Sequence, residues 1–268
     1  MSIDKAGINT YLSKSLFIRG LQCLKSLYLH KFHPELKDEI SEAQEALFQS
    51  GFEVGDYAKR LFPEGTEIVY KEGNYDEQVE LTRSEIENGT TTIYEAAFNY
   101  DNIFIKADIL HKGKEGWELY EVKSSSDVHE HHINDVSLQY YVITNSGLPV
   151  SKAYVVHINN EYVRDGEIEV EKLFAVSDVT EKVLEKQDYV EDEISKMRTT
   201  LLKGEIPDID IGEHCSEPYE CDFGGHCWRH ISKEYPVFDL CGNGASAYDL
   251  YRQGILYLKD IPLDILPY

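Results

Sequence analysis

The sequence predicts an α/β protein: a mixed β-sheet flanked by helices. The hydrophobic period is close to that of a helix up to about residue 90, close to two through residue 123, and helical again from residue 133. A helical stretch stands between two strand-like runs, at 118–123 and 152–158. That order asks for a right-handed crossover and a parallel pair beside antiparallel ones. The length of 268 residues, 42% of them apolar, is enough to bury one substantial core.

Each element follows in order. Leu16, Gly20, Cys23 and Leu27 recur at spacings of four, three and four, predicting one amphipathic helix over 15–31 with Ser13 or Ser15 at its start. Residues 40–62 carry the same spacing through Leu47, Gly51, Val54, Ala58 and Leu61, and 75–88 through Tyr75, Val79 and Ile86. The β-rich runs 91–98, 103–110 and 118–123 are separated by the turn-like NYDN and HKGKEG, predicting three antiparallel strands. A helix over 133–145 ends at Asn145-Ser146-Gly147, and 152–158 is a further strand. Residues 177–202 read as one charged helix, the cysteine segment after it has no period, and the tail holds a helical turn around 245–253. The expected organisation is one domain over 1–235, with its core at about 40–160 and cysteine segments at 15–31 and 205–232. Residues 236–268 are expected to be a helical appendage or the start of a further module.

The net charge is −23, which argues against a nucleic-acid partner when taken alone, because phosphate affinity comes from Lys and Arg contacts. Distribution matters more than the total. Lys14, Arg19, Lys25 and Lys31 make one basic segment, while acidic residues concentrate around 35–45, 64–87 and 167–193. No apolar run is long enough to span a membrane, and the start MSIDKAGINTYL has no apolar signal region, so a cytoplasmic protein is expected. In a reducing compartment five cysteines point to metal or cluster binding rather than disulfides.

Cys215, Cys221 and Cys227 stand with five residues between neighbours, and Cys23 lies far to the N-terminal side. Four thiolates match an iron–sulfur cluster or an all-cysteine zinc site. On a helix face Cys23 also suits a plain core position. Cys241 offers a local alternative as fourth ligand, though zinc ribbons usually space ligands more tightly.

A second constellation is Asp108 followed by Glu121-Val122-Lys123. Alternation along a strand puts Glu121 and Lys123 on one face. With the hairpin turn at 113–114, Asp108 opposes Leu119 and is a diagonal neighbour of Glu121, about 7–8 Å away at the backbone. Two carboxylates and the Val122 carbonyl are hard oxygen donors of the kind Mg²⁺ or Mn²⁺ takes, and Lys123 can stabilise charge beside them. The alternative is an exposed surface ion pair. His129, His131 and His132 lack a helical i, i+4 pair and read as a solvated loop.

Together these motifs resemble the PD-(D/E)XK nuclease superfamily, in particular the RecB-like branch with a four-cysteine iron–sulfur cluster, which includes CRISPR-associated RecB-like exonucleases. The resemblance covers roughly residues 10–232. It implies a restriction-endonuclease-like core and a [4Fe-4S] cluster on Cys23, Cys215, Cys221 and Cys227 that binds the terminal segments. It also implies Mg²⁺ or Mn²⁺ on Asp108, Glu121 and the Val122 carbonyl, with Glu95 of IYEAAF beside them, and Lys123 in catalysis. Gln139 and Tyr141 of LQYY resemble a Gln-and-Tyr motif of that branch, helix packing being their other reading. The implied partner is DNA, as single strands or ends, with a further C-terminal module or protein partner. The pattern departs in one place: Gly55 stands where many members have a histidine, and neither Glu53 nor Asp56 matches its position. A catalytically silent nuclease fold serving as a binding or scaffold module is therefore the second expectation.

Overall fold

Among the described residues seven strands form one mixed sheet, in which six are neighbours in chain order and the first in the chain pairs off that path. The computed structural model describes residues 10–69, 73–240 and 246–263. Its backbone divides into two units, one formed by the described residues up to Leu21 and by Ser41–Glu205, the other by Gln22–Ile40 and the described residues from Ile206 onward.

The first unit begins with β1 (Leu12–Ser13) and α1 (Lys14–Gln22, whose last residue belongs to the second unit). Ser13 caps α1, its Oγ accepting from the Leu16 amide at 3.2 Å. The expected helix over 15–31 is in fact two. Cys23 sits between α1 and α2 (Leu24–Phe32) in an extended conformation, φ −162° and ψ 116°. At Gly20 α1 approaches Met197 closely: a Cβ there would lie 2.6 Å from Met197 Sδ.

Next come α3 (Glu42–Lys59), β2 (Thr66–Glu67) and α4 (Tyr75–Glu87). Ser41 and Gln44 close a reciprocal capping box on α3. Gly55, inside α3, has nothing within 4 Å of where a Cβ would stand. Gly55→Ala should therefore raise stability by about 0.5–1 kcal/mol through backbone entropy alone. A thermal melt that falls would show the position is not the open one described.

The antiparallel β3 (Thr92–Tyr100), β4 (Ile103–Lys112) and β5 (Trp117–Val122) follow. α5 (Glu130–Asn145) crosses to β6 (Val150–Ile158), which pairs parallel with β5. The short α6 (Val170–Leu173) leads into the antiparallel β7 (Phe174–Asp178). The predicted helix over 177–202 starts later and is broken, as α7 (Thr180–Glu185) and α8 (Gln187–Lys203). Periodicity does not reveal β1, β2 or β7: the first two have only two residues each, and the last two residues of the short β7 fall inside the predicted charged helix.

The two faces of the sheet are chemically unlike. Tyr94, Ile109 and Tyr120 share one row and pack with Val54, Tyr57 and Ala58 of α3 and with Leu61 just beyond it. Side chains alternate, so the next row faces the other way. That side is covered by α5, which packs on β3, β4 and β6 and against α7 and α8.

The second unit holds α2, the cysteine segment with α9 (Gly224–Cys227), and α10 (Ala247–Arg252). Asp38 accepts from the Gly225 amide, and a Cβ on Gly225 would lie 2.4 Å from Asp38 Oδ1, so this approach needs glycine. The tail, expected as an appendage, belongs to this unit. Val237, Leu250 and Ile261 form its core, Trp228 packs edge-on to Phe238, and Tyr251 donates to Asp210. Cys241 lies outside the described residues.

Candidate active site

Strand register brings three acidic residues into one row. Tyr94↔Ile109 and Ala96↔Ala107 flank Glu95, which puts it opposite Asp108. On the other side Ile109↔Tyr120 and Leu110↔Leu119 pair, so the next position sets Asp108 opposite Glu121. The predicted pairing of Asp108 with Leu119 is corrected: the turn lies one residue further on, and the two carboxylates are direct rather than diagonal neighbours. Glu95 has φ 56°, a left-handed conformation unusual for a non-glycine residue in mid-strand, and it pairs with Lys106 at 2.7 Å.

β4 forks at this level. β1 holds its edge at Ile103 and Phe104, whereas β5 pairs with it only from Ile109 onward. Lys14, one residue past β1, enters the fork. Its Nζ lies 2.9 and 3.1 Å from the two Glu121 oxygens, 3.8 Å from Asp108 Oδ1 and 4.0 Å from Asp135 Oδ1. Lys123 Nζ lies 2.7 Å from Glu121 Oε1 and 2.5 Å from Asp135 Oδ2. Gln139 Nε2 donates to Glu121 Oε2 at 2.7 Å and to Asp135 Oδ1 at 3.3 Å. The Val122 amide donates to Asp108 Oδ2 at 2.7 Å.

The electrostatics follow from burial and from these neighbours. Glu121 and Asp135 have only 2% and 7% of their side chains exposed, against 27% for Asp108. Burial, and after it the charge of Glu121, pushes Asp108 up to about 7, and the same two causes raise Asp135. Burial also acts upward on Glu121, but Lys123 and Lys14 outweigh it and hold the group below the usual carboxylate range. Burial opposes both ammonium groups, yet the carboxylates around them keep Lys14 and Lys123 above the ordinary lysine value. A buried charge cluster of this kind is a poor device for stability, which makes these perturbed groups a candidate functional site.

A pH test follows. A carboxyl group with a higher pKa folded than unfolded binds its proton more tightly in the native state. Asp108 therefore withdraws stability as pH rises from about 4, its unfolded value, to about 7. In chelator-treated protein the melting temperature of Asp108→Asn should gain on the wild type across that window and level off above it. The carboxamide introduced by this substitution still accepts from the Val122 amide, so a pH-independent difference would contradict the burial of the Asp108 carboxylate.

Some expected residues stand elsewhere. Tyr141 does not join the fork; its ring packs edge-on to Tyr100 with centroids 5.9 Å apart. Glu53 and Asp56 are exposed on α3, and Asp56 pairs with Lys59 at 3.2 Å, so neither enters the carboxylate row. The histidines are not a loop. His129 precedes α5, its amide donates to His132 Nδ1, and burial drives His132 down to about 3. The basic segment is not a free strip: Lys14 is in the fork, Lys25 donates to the Ile209 carbonyl, and burial lowers Lys31 to about 8.

Within the second unit Cys23, Cys215, Cys221 and Cys227 line one hollow, along with Ser26, Lys25 and His214. Burial raises the Cys23 thiol, the Ser26 and Lys25 amides at the start of α2 pull it down, and Cys221 and Cys215 raise it further. Cys227 is also raised by burial, lowered by Lys25, and affected by the other three. Among the described residues no three His, Cys, Asp or Glu side chains are placed to hold a single metal ion.

Solved structures similar to this chain include exonucleases. LHK-Exo in complex with dAMP is 12% identical, with 73% of this chain and 90% of that chain covered and a TM-score of 0.44. The alkaline exonuclease LHK-Exo from Laribacter hongkongensis gives 10% identity, coverage of 74% and 91%, and a TM-score of 0.34. A phage-related exonuclease from Haemophilus somnus 129PT gives 12%, 68%, 94% and 0.25 in the same order. No protein-family model matches the sequence, and no curated protein matches it. Overlaps this loose leave the chemistry to be read from the side chains.

Two residues of the fork escaped the sequence reading. Asp135 is one helical turn before Gln139, and that i, i+4 spacing on α5 was its only signal. Lys14 gave no signal beyond being a cation at a helix start. Among the described residues no helix is long and apolar enough to cross a membrane.

Proposed function

We propose that this chain is a metal-dependent nuclease that hydrolyses DNA phosphodiester bonds, at ends or on single strands. The observation that supports it most is the convergence of Asp108, Glu121 and Asp135 with Lys123 at the β4–β5 fork. In this reading Asp108, Glu121 and the Val122 carbonyl hold Mg²⁺ or Mn²⁺, with Glu95 next in the row. The donor set fits: these are hard oxygens already gathered about a cationic group, the Lys14 ammonium. A divalent ion bound there supplies charge for the phosphate and acidifies water.

The protein's own groups do the rest. Its neighbours keep Lys123 protonated, so it serves as a positive charge for the phosphate and not as a base. Asp135 aims the Lys123 ammonium, and Gln139 ties Glu121 to Asp135. The Val122 amide fixes the Asp108 carboxylate.

The four cysteines carry a [4Fe-4S] cluster with a structural role in this reading. What supports this reading is that the four line a common hollow, and four thiolates are the ligand count of such a cluster. Visible absorbance in anaerobically purified protein tests this, since zinc, a d¹⁰ ion, gives none.

The nuclease reading is tested with end-labelled single-stranded DNA. Degradation should require Mg²⁺ or Mn²⁺ and stop in chelator. No cleavage with either metal would favour the second reading, a catalytically silent binding or scaffold module. That reading draws on the Lys14 ammonium lodged among the carboxylates and on Gly55 in place of a histidine.

A further inference from the structure

We propose that Lys14 is a built-in counter-cation of the fork: it holds the acidic side chains together in the metal-free protein, leaves when a divalent ion enters, and so sets the affinity for that ion. This rests on the fork being a metal-binding nuclease site.

Position argues for it first. Lys14 is the opening residue of α1, and the first turn of α1 contains no acidic residue. A helix start carries partial positive charge, so a lysine there is locally unfavourable and acids are the usual occupants. A residue that breaks the local rule is best explained by its tertiary partners, here three carboxylates within 4.0 Å.

Contact argues for it second. Lys14 engages both oxygens of Glu121, the least exposed carboxylate, and reaches Asp108 and Asp135 as well. A dication drawn to Glu121 and Asp108 meets an ammonium already bound to both. The two cations compete for the same oxygens, and the ion's apparent affinity is reduced by the fraction of molecules in which Lys14 is in place. The side chains of Lys14 and Asp108 each keep 27% exposure, so the cluster is not wholly closed to solvent on the side where the ammonium would leave.

The experiment uses the full chain with Mn²⁺ as probe. Mn²⁺ binding to chelator-treated wild type, Lys14→Met and Asp108→Asn is measured by calorimetry and by the electron paramagnetic resonance of free Mn²⁺. Lys14→Met should bind Mn²⁺ at least about tenfold tighter. In parallel, wild-type protein is acylated with a small amine-reactive ester and the modified lysines are read by mass spectrometry. Lys14 should react slowly in chelator and faster with Mn²⁺, while Lys172, exposed on α6, should not change. Should Lys14→Met fail to fold, the labelling decides alone. If Asp108→Asn loses Mn²⁺ but Lys14→Met binds no tighter and Lys14 labelling ignores Mn²⁺, the counter-cation inference is overturned and the fork reading stands. If Asp108→Asn binds Mn²⁺ like wild type, or no variant binds it, the fork reading falls and takes the inference with it.

Discussion

Lys123→Ala should lower metal-dependent degradation of single-stranded DNA by about 10²–10³-fold, the size of the loss when one preorganised charge-stabilising group is removed. Lys123 is the ammonium shared by Glu121 and Asp135, and its surroundings keep it charged through the neutral range. Its loss also strips a partner from two buried carboxylates. That can destabilise the fold by about 3–5 kcal/mol, less whatever the carboxylates recover by taking up protons. The two consequences separate experimentally. Lys123→Met keeps the stem packed and removes only the charge, and a melt beside each assay shows whether the protein is folded. A folded Lys123→Met that still degrades DNA at the wild-type rate would remove Lys123 from the mechanism.

Cys23→Ala should lose brown colour and solubility together. Cys23 is the one ligand candidate distant in sequence from the other three, so in the proposed cluster its thiolate would close the longest loop. In the chain-entropy picture a crosslink over a loop of this length contributes about 5 kcal/mol, comparable with the whole stability of many domains. Cys23 is not a helix-face residue packed as a small hydrophobe; it is an extended residue between two helices, lining the same hollow as Cys215, Cys221 and Cys227. A soluble variant that keeps its colour would exclude Cys23 as a ligand.

The elements that were legible were long and periodic. β3, β4, β5, α5 and β6 lie close to where alternation and helical spacing put them, because each buries one face or both against a partner and the pattern records it. Asp108, Glu121 and Lys123 were legible for the same reason: fixed spacing on a strand determines which side chains share a face. Other features were invisible because their cause is not local. The break at Cys23 interrupts a sequence with unbroken helical period, and nothing in 15–31 except the cysteine itself marks it. The exact partner of Asp108 depended on a hairpin turn one residue away from the predicted centre, and a slip of that size changes which residues oppose one another.

By itself the sequence determined the central run of three strands, a helix and a further strand, the placing of Glu121 and Lys123 on one strand face, and the spacing of the cysteines, since each is a matter of residue type and spacing along one chain. Only the tertiary structure decided that Lys14 and Asp135 share the fork with them, that Tyr141 does not, and that Cys23 leaves its helix to meet the other cysteines. Those outcomes depend on the β1–β4 pairing, on the packing of α5 across the sheet and on the fold of the cysteine unit. Lys14 and Glu121 stand 107 positions apart, and even the nearer Lys123 and Asp135 lie on different elements, so periodicity within one element carries no information about either meeting.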